Sequence, residues 1–207
     1  MNFARRQLNA TILADGQVLV TGGTSGPGFN DVTSPVYNAE LWNPATESWS
    51  IMARESVVRT YHSTALLLPD ARVLSSGSGE GGGVTYENSQ FSAQLFSPPY
   101  LFNSDGSLAT RPVITSAPSR LFYGQSLTVG SPDAASIAKI TLIRLSSVTH
   151  AFNQSQLINR LTFSATGTTL SVMGPKNANP APPGPYMLFL VNAKGVPSKA
   201  KMVTVGP

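Results

Sequence analysis

Three side chains of this sequence carry donor atoms that could bind a transition metal. Tyr61 and His62 are adjacent at the head of an apolar run that ends at Pro69-Asp70. His150 is the other of only two histidines and lies in Thr149-His150-Ala151-Phe152-Asn153. Imidazole suits copper, and a tyrosine phenol can add an oxygen ligand. The three residues are therefore a candidate mononuclear copper site, with a core tyrosine and two ordinary polar histidines as the alternative.

The composition excludes several other functions. The 207 residues include 14 Lys and Arg against 10 Asp and Glu, and the basic residues are scattered, with Arg5-Arg6 as the longest run. A nucleic-acid surface needs a basic cluster or stripe, so we expect no nucleic-acid partner. There is no cysteine, which excludes disulfides, cysteine-ligated zinc and a thiol nucleophile.

The sequence also lacks hydrophobic targeting segments. No apolar run reaches the roughly 18 residues of a membrane span, so we expect none. The N-terminal residues 1–7 lack the apolar core of a signal peptide, so we expect no export signal in the chain as given.

Residues 1–98 contain an internal repeat. Gln7–Gly22 matches His62–Gly77 at an offset of about 55 residues, and Ala39–Pro44 parallels Ala93–Pro98 at nearly the same offset. Four short strands in a unit of about 50 residues are typical of a kelch-type propeller blade, and a plain antiparallel meander is the alternative. Two blades do not close a propeller, which takes about four to eight. We therefore expect missing blades, supplied by upstream sequence or by another chain.

The two repeats differ at their first hairpin turn. Asp15-Gly16 is a strong two-residue turn signal, because glycine adopts the required positive φ freely. In the second repeat the same turn falls on Asp70-Ala71, where Ala71 would be strained. Gln7 occupies the repeat position of His62, so the first blade offers no equivalent imidazole.

The second half of the chain changes pattern. Seven short apolar segments separated by turns predict an immunoglobulin-like sandwich. They are residues 113–114, 126–129, 138–143, 160–163, 169–173, 186–191 and 201–205.

With these pieces placed, the chain resembles the C-terminal part of galactose oxidase and the glyoxal-oxidase-like copper radical oxidases. The matching motifs follow the family's order: Phe3-Ala4-Arg5, Val58-Arg59-Thr60-Tyr61-His62-Ser63, Leu66-Leu67-Leu68-Pro69-Asp70, Ser97-Pro98-Pro99-Tyr100-Leu101, Leu108-Ala109-Thr110-Arg111-Pro112, Thr149-His150-Ala151-Phe152-Asn153, Pro185-Tyr186-Met187-Leu188-Phe189 and Gly195-Val196-Pro197-Ser198. After His150 the family usually has a Gln-Arg pair, whereas here Gln156 is followed by Leu157.

The resemblance implies an all-β fold with two parts. Residues 1–110 would form about two kelch-type blades of an incomplete propeller and a connector. Residues 111–207 would form the immunoglobulin-like early-set sandwich, which in the family sends a loop up the central hole of a seven-bladed ring. The resemblance also implies an extracellular or periplasmic location.

The resemblance further implies the roles of the site residues. Tyr61 would be the axial copper ligand and the catalytic proton acceptor. His62, with Tyr61 on an inner strand of the last blade, and His150 would be the equatorial ligands. The family oxidises primary alcohols or aldehydes, including carbohydrates, with dioxygen and releases hydrogen peroxide. Its tyrosyl-cysteine radical cofactor cannot form within a chain that has no cysteine, so the chain alone is expected to be inactive.

Two alternatives remain open at this point. The chain could be a non-catalytic module that binds carbohydrate or protein. It could also hold a bare copper site of Tyr61, His62 and His150 without a radical partner. Copper binding separates the first alternative from the others, and peroxide production separates the second.

Overall fold

The structure, a computed structural model, describes residues 1–79 and 89–207. Apart from two short 3₁₀ helices at Pro99–Leu101 and Ala134–Ser136, the regular elements of these residues are β-strands, so the predicted all-β class is confirmed. The chain divides into two compact units. Unit 1 comprises Met1–Leu68, Arg72–Phe96 and Ser146–Gln156, and unit 2 comprises Pro69–Ala71, Ser97–Leu145 and Leu157–Pro207.

Unit 1 contains two antiparallel meanders and one hairpin. The strands are β1 (Arg6–Ile12), β2 (Val18–Thr24), β3 (Asn38–Asn43), β4 (Ser48–Arg54), β5 (Ser63–Leu67), β6 (Val73–Gly77), β7 (Ala93–Phe96), β11 (Val148–Thr149) and β12 (Phe152–Asn153). The first sheet has the order β1-β2-β3-β4, the arrangement of a propeller blade. The second sheet has the order β5-β6-β7 within the described residues, and β11 and β12 pair as a separate hairpin.

The two meanders share register as well as sequence. Leu8 pairs with Gly22 on β1 and β2, and Ser63 pairs with Gly77 on β5 and β6. An arginine fixes the same carbonyl in each repeat. Arg5 Nη1 donates to Gly22 O at 3.0 Å, and Arg59 Nη1 donates to Gly77 O at 2.7 Å. The repeat is therefore a structural one, with arginine contacts that the sequence comparison alone did not identify.

The two-residue turn predicted at Asp15-Gly16 is wrong, because the Leu13 N–H donates to Gln17 O at 2.8 Å and closes a three-residue loop, and the second repeat has the same loop. Gly16 has φ +93° and Ala71 has φ +67°. The second value lies in the left-handed region, which costs a residue with a Cβ atom about 1–2 kcal/mol. The expected strain at Ala71 is thus confirmed, and this side chain is fully buried.

Unit 2 is a sandwich of two sheets. Its strands are β8 (Arg120–Leu121), β9 (Ser126–Gly130), β10 (Ile137–Arg144), β13 (Ile158–Leu161), β14 (Phe163–Thr166), β15 (Thr169–Met173), β16 (Gly184–Asn192) and β17 (Lys201–Val205). A five-stranded sheet has the order β13-β10-β16-β17-β8, and a three-stranded sheet has the order β14-β15-β9. Alternate residues of both sheets face a shared core that includes Ile140, Leu142, Leu188, Val129 and Leu170.

Two predicted strands of this unit need correction. Residues 113–114 form no strand, because the Val113 N–H donates to Asp133 Oδ2 at 2.9 Å instead of to a neighbouring strand. The single strand predicted at 160–163 is two strands that belong to different sheets. β13 pairs with β10 and β14 pairs with β15, so the chain crosses from one sheet to the other at Thr162.

No helix within residues 1–79 and 89–207 combines the length and the apolar character that crossing a membrane requires.

Candidate metal centre

Tyr61 and His62 lie in the turn that immediately precedes β5, which begins at Ser63. The expectation that both lie on an inner strand is therefore wrong in this detail. His62 has φ +64°, in the left-handed region, and the Ser63 N–H donates to Thr60 O at 3.0 Å. Neighbours on a regular strand point to opposite faces. The turn instead brings the Tyr61 and His62 rings together, with centroids 4.0 Å apart.

Backbone contacts from both repeats hold this turn. The Gly23 N–H donates to Arg59 O at 2.6 Å, and the Gly79 N–H donates to Tyr61 O at 3.0 Å. The Tyr61 N–H donates to Asn30 Oδ1 at 3.2 Å. Gly23 lies next to Gly22 near the end of β2, and Gly79 follows the end of β6. Residues at the ends of these two strands therefore position the turn from both sides.

His150 lies at the tip of the β11–β12 hairpin. His150 has φ +56° and Ala151 has φ +59°, so both central residues of this two-residue turn are left-handed. Type I′ turns need that geometry and favour asparagine and glycine, which makes a His-Ala pair a strained choice. Strain of this kind is concentrated at functional sites, where the surrounding structure maintains it.

The structure brings all three predicted residues together within unit 1. The His150 ring centroid lies 5.3 Å from that of Tyr61 and 4.8 Å from that of His62. Both imidazoles are exposed and Tyr61 is half-buried, so the donor atoms are open to an ion from solvent. No group of three His, Cys, Asp or Glu side chains that could hold a metal occurs in the described part of the chain. A metal at this cluster would consequently need Tyr61 as its third protein ligand.

The cluster fits a metal in both spacing and chemistry. An imidazole nitrogen binds a metal at about 2 Å, so two rings at right angles around one ion have centres about 4–5 Å apart. The His62 and His150 ring centroids, 4.8 Å apart, lie in that range. Thr149 Oγ1 lies 2.6 Å from His150 Nδ1. In the tautomer protonated on Nδ1, this bond orients the ring and leaves the Nε2 lone pair available.

Aromatic and polar groups surround the cluster. The Phe29 ring packs edge-on against Tyr61, with centroids 4.8 Å apart, and Phe29 is exposed. His62 also borders a cavity of about 270 Å³, whose other lining residues are Gly77, Ser78, Gly79, Ser89, Gln90 and Phe91. Phe29 and Asn30 are contacts of the cluster that the sequence did not predict. The only available signal was their place in a glycine-rich loop between two strands, the kind of loop that often carries function.

The position of His62 is a feature of the repeat. Gln7, its counterpart in the first repeat, has φ +56°, close to the +64° of His62. The Gln7 amide donates to Phe29 O at 3.3 Å. Each repeat therefore presents a left-handed residue just before or at the start of its first strand, and an imidazole stands there in the second repeat.

A buried carboxyl group supports the segment that leads into Tyr61. The Ser75 hydroxyl donates to Glu55 Oε1, and Arg59 is the neighbouring charge. Burial raises the pKa of Glu55 above its ordinary value of 4.5, although the Ser75 hydrogen bond and the Arg59 charge oppose that rise. Glu55 Oε2 and Arg59 Nε have no hydrogen-bond partner among the described residues. The pair is therefore incompletely satisfied.

Glu55→Gln should make the protein more stable at neutral pH by on the order of 1 kcal/mol. Because the folded-state pKa of Glu55 is raised, wild-type stability falls as pH increases from 4.5 through the folded pKa, and the variant lacks that loss. Urea unfolding of both proteins between about pH 4 and 8 measures the difference. An equal pH dependence in the two proteins would contradict the assignment.

Comparison with known proteins places these observations in a family. Residues 1–100 match the family model described as glyoxal oxidase N-terminus, and residues 111–205 match the model described as galactose oxidase-like, early set domain. A galactose oxidase of Gibberella zeae is 39% identical over 206 residues, which are 98% of this chain and 30% of that protein. An aldehyde oxidase GLOX of Vitis pseudoreticulata is 33% identical over 226 residues, covering 100% of this chain and 42% of that protein.

A solved structure gives the same result. A fungal alcohol oxidase of the AA5 family in complex with copper superimposes with a TM-score of 0.91 at 36% identity, over 100% of this chain and 44% of that chain. The chain therefore spans less than half the length of these relatives. Over nearly all of its own residues, from the blade-like sheets to the sandwich, the chain is similar to galactose oxidases and glyoxal oxidases, with one family model matched by each half.

Proposed function

We propose that this chain carries the copper-binding part of an oxidase that converts primary alcohols or aldehydes with dioxygen and releases hydrogen peroxide. The observation that carries the proposal is the convergence of Tyr61, His62 and His150, whose ring centroids lie 4.0 to 5.3 Å apart. The names of the relatives, which are galactose, aldehyde and alcohol oxidases, support this substrate class.

The side chains of the cluster would take separate roles. His62 and His150 would hold the ion through imidazole nitrogens, and Tyr61 would add its phenol oxygen. Bound copper would supply Lewis acidity and one-electron redox capacity. The Tyr61 phenolate would accept the proton of the substrate hydroxyl and hold it at the phenol oxygen. The contact between Thr149 and His150 would keep that imidazole in one orientation during the transfer.

The second one-electron partner is not assigned to this chain. The thioether-linked tyrosine that the resemblance implies needs a cysteine, and the sequence has none. We propose that this partner, and the blades needed to complete a ring, belong to the portion of the relatives that the chain does not span. Within the chain we retain the proposed division into kelch-type blades at 1–110 and a sandwich at 111–207.

Copper titration tests the proposal. Wild-type chain should bind one equivalent of Cu²⁺, and His62→Ala combined with His150→Ala should weaken binding at least about 100-fold, because two of three protein ligands are lost. Isothermal titration with electron paramagnetic resonance measures affinity and the coupled imidazole nitrogens. Gln7→Ala is the matched control, since Gln7 has the backbone conformation of His62 in the other repeat and no imidazole.

The outcomes separate the possible functions. Unchanged copper affinity in the double variant would overturn the proposal and favour a non-catalytic binding module. Copper binding that depends on both histidines supports the metal centre. Peroxide production can then be measured with the full-length protein and a primary alcohol.

A further inference from the structure

The side chain of Gln156 pairs with the free edge of β1. The Ile12 N–H donates to Gln156 Oε1 at 2.6 Å, and Gln156 Nε2 donates to Ala10 O at 2.9 Å. β1 is the edge strand of its sheet, with β2 on its other side. A carboxamide has one acceptor and one donor group, so it can satisfy both backbone groups as a neighbouring strand would.

Hydrogen bonds within the segment that ends at Gln156 hold its residues together. The Asn153 side chain accepts from the Ser147 and Ser155 N–H groups at 3.2 Å each and donates to Ser146 Oγ at 3.0 Å. The Gln154 N–H donates to Ser147 O at 2.9 Å. These bonds close the hairpin that carries His150 into one small unit. An anchor at one end of this unit therefore determines the position of its tip.

We propose that Gln156 is a positioning residue of the metal centre, which holds His150 opposite Tyr61 and His62. The inference rests on the proposed function, in that the held group is a copper ligand. The His150-Ala151 turn is strained at both φ angles and contains no glycine or asparagine. An isolated hairpin of this sequence would favour other turns. Contacts outside the hairpin must maintain its geometry, and the Gln156 amide supplies two of them.

The test compares Gln156→Met with Gln154→Met. Methionine keeps the length of glutamine and removes both hydrogen-bonding groups. Gln154 lies in the same segment with an exposed side chain, so its variant controls for the substitution itself. Because the chain has two histidines, selective isotope labelling of histidine isolates the His62 and His150 rings in nuclear magnetic resonance spectra.

In the metal-free wild type and in Gln154→Met, we expect a nuclear Overhauser effect between the two rings, whose centroids lie 4.8 Å apart. Gln156→Met should lose it. The same variant should bind Cu²⁺ about tenfold more weakly, as loss of a supporting hydrogen bond does at metal sites. Its paramagnetic resonance spectrum should show one coupled imidazole in place of two. A role in stability alone would lower the melting temperature without these changes.

The positioning role of Gln156 and the proposed copper site can be contradicted by separate measurements. An undiminished ring-to-ring effect in Gln156→Met, with wild-type copper affinity, would overturn the positioning role and leave the proposed copper site intact. A copper affinity that stays the same when both histidines are replaced would overturn the proposed function. Loss of the ring-to-ring effect in Gln156→Met would still support the control of His150 geometry in that case.

Discussion

Gly22→Ala is expected to destabilise the protein by about 3 kcal/mol or more and to displace the turn that carries Tyr61 and His62. Gly22 has φ +63°, which costs a residue with a Cβ atom about 1–2 kcal/mol. An added Cβ would also lie 2.4 Å from Arg59 O and 2.9 Å from Arg59 Cβ. Backbone cannot move aside as a flexible side chain can, and overpacking of this kind typically costs another 1–3 kcal/mol.

Two other glycines make a graded control series. Gly77, the repeat counterpart of Gly22, has φ +72°, and its added Cβ would lie 3.1 Å from His62 O, a contact that a small shift relieves. Gly167 has φ +57°, and an added Cβ would have no atom within 4 Å, so its alanine variant loses stability only through the unfavourable backbone conformation. We expect losses in the order Gly22→Ala, Gly77→Ala, Gly167→Ala, measured by urea unfolding. Equal losses at the three positions would contradict the contact argument.

The same series has a readout at the site itself. Arg59 is two residues before Tyr61, so displacement of its carbonyl moves the attached turn. We therefore expect the ring-to-ring effect between His62 and His150 to disappear in Gly22→Ala and to remain in Gly167→Ala. Retention of that effect in a folded Gly22→Ala protein would show that the turn does not depend on this contact.

The strand pattern of the chain was predictable because apolar alternation and turn residues are local signals. The positive φ of Gly16 and the strain at Ala71 follow directly from such signals, whereas the three-residue length of the two loops does not. The strand predicted at Val113-Ile114 does not form, because the carboxylate of Asp133 accepts the Val113 N–H, a contact that strand periodicity does not reveal. The break between β13 and β14 was not predicted for a related reason. Both strands keep the alternation, and only their partners differ.

The members of the candidate site could be predicted, but not its conformation. The types of Tyr61, His62 and His150, with the family resemblance, were enough to group three residues that are distant in sequence. The left-handed backbone at His62, His150 and Ala151 was not foreseeable. For residues other than glycine such φ values are set by tertiary contacts. The bonds from Gln156 to β1 likewise depend on which strand edge lies beside the hairpin.

Glu40→Gln should cost about 3 kcal/mol, because it removes the counter-charge that is paired directly with the buried Arg5 guanidinium. Arg5 Nη2 and Glu40 Oε2 lie 2.6 Å apart, with both side chains fully buried. Removing one partner of a buried pair typically costs 3–5 kcal/mol, and the remaining amide hydrogen bonds place this variant near the lower end. Asn2 also donates to the Glu40 carboxylate through its side chain at 3.0 Å, a bond that glutamine can keep.

The pH dependence identifies the charge as the cause. Burial alone would raise the pKa of Glu40, but hydrogen bonds from Asn2 and the Arg5 charge outweigh it and hold the pKa below its ordinary 4.5. A lowered folded-state pKa stabilises the protein above the unfolded value, and that contribution is lost as pH falls through the folded pKa. The deficit of Glu40→Gln should therefore be largest near neutral pH and shrink below about pH 4.

Glu47→Gln is the matched control, since Glu47 is an exposed glutamate in the turn between β3 and β4. We expect it to change the free energy of unfolding by less than about 0.5 kcal/mol, as surface substitutions usually do. Urea unfolding of the three proteins across this pH range measures both quantities. Because Arg5 also donates to Gly22 O, we expect Glu40→Gln to displace the turn before β5 as well as to lower the free energy of unfolding. A pH-independent deficit would instead assign the loss to packing around Glu40.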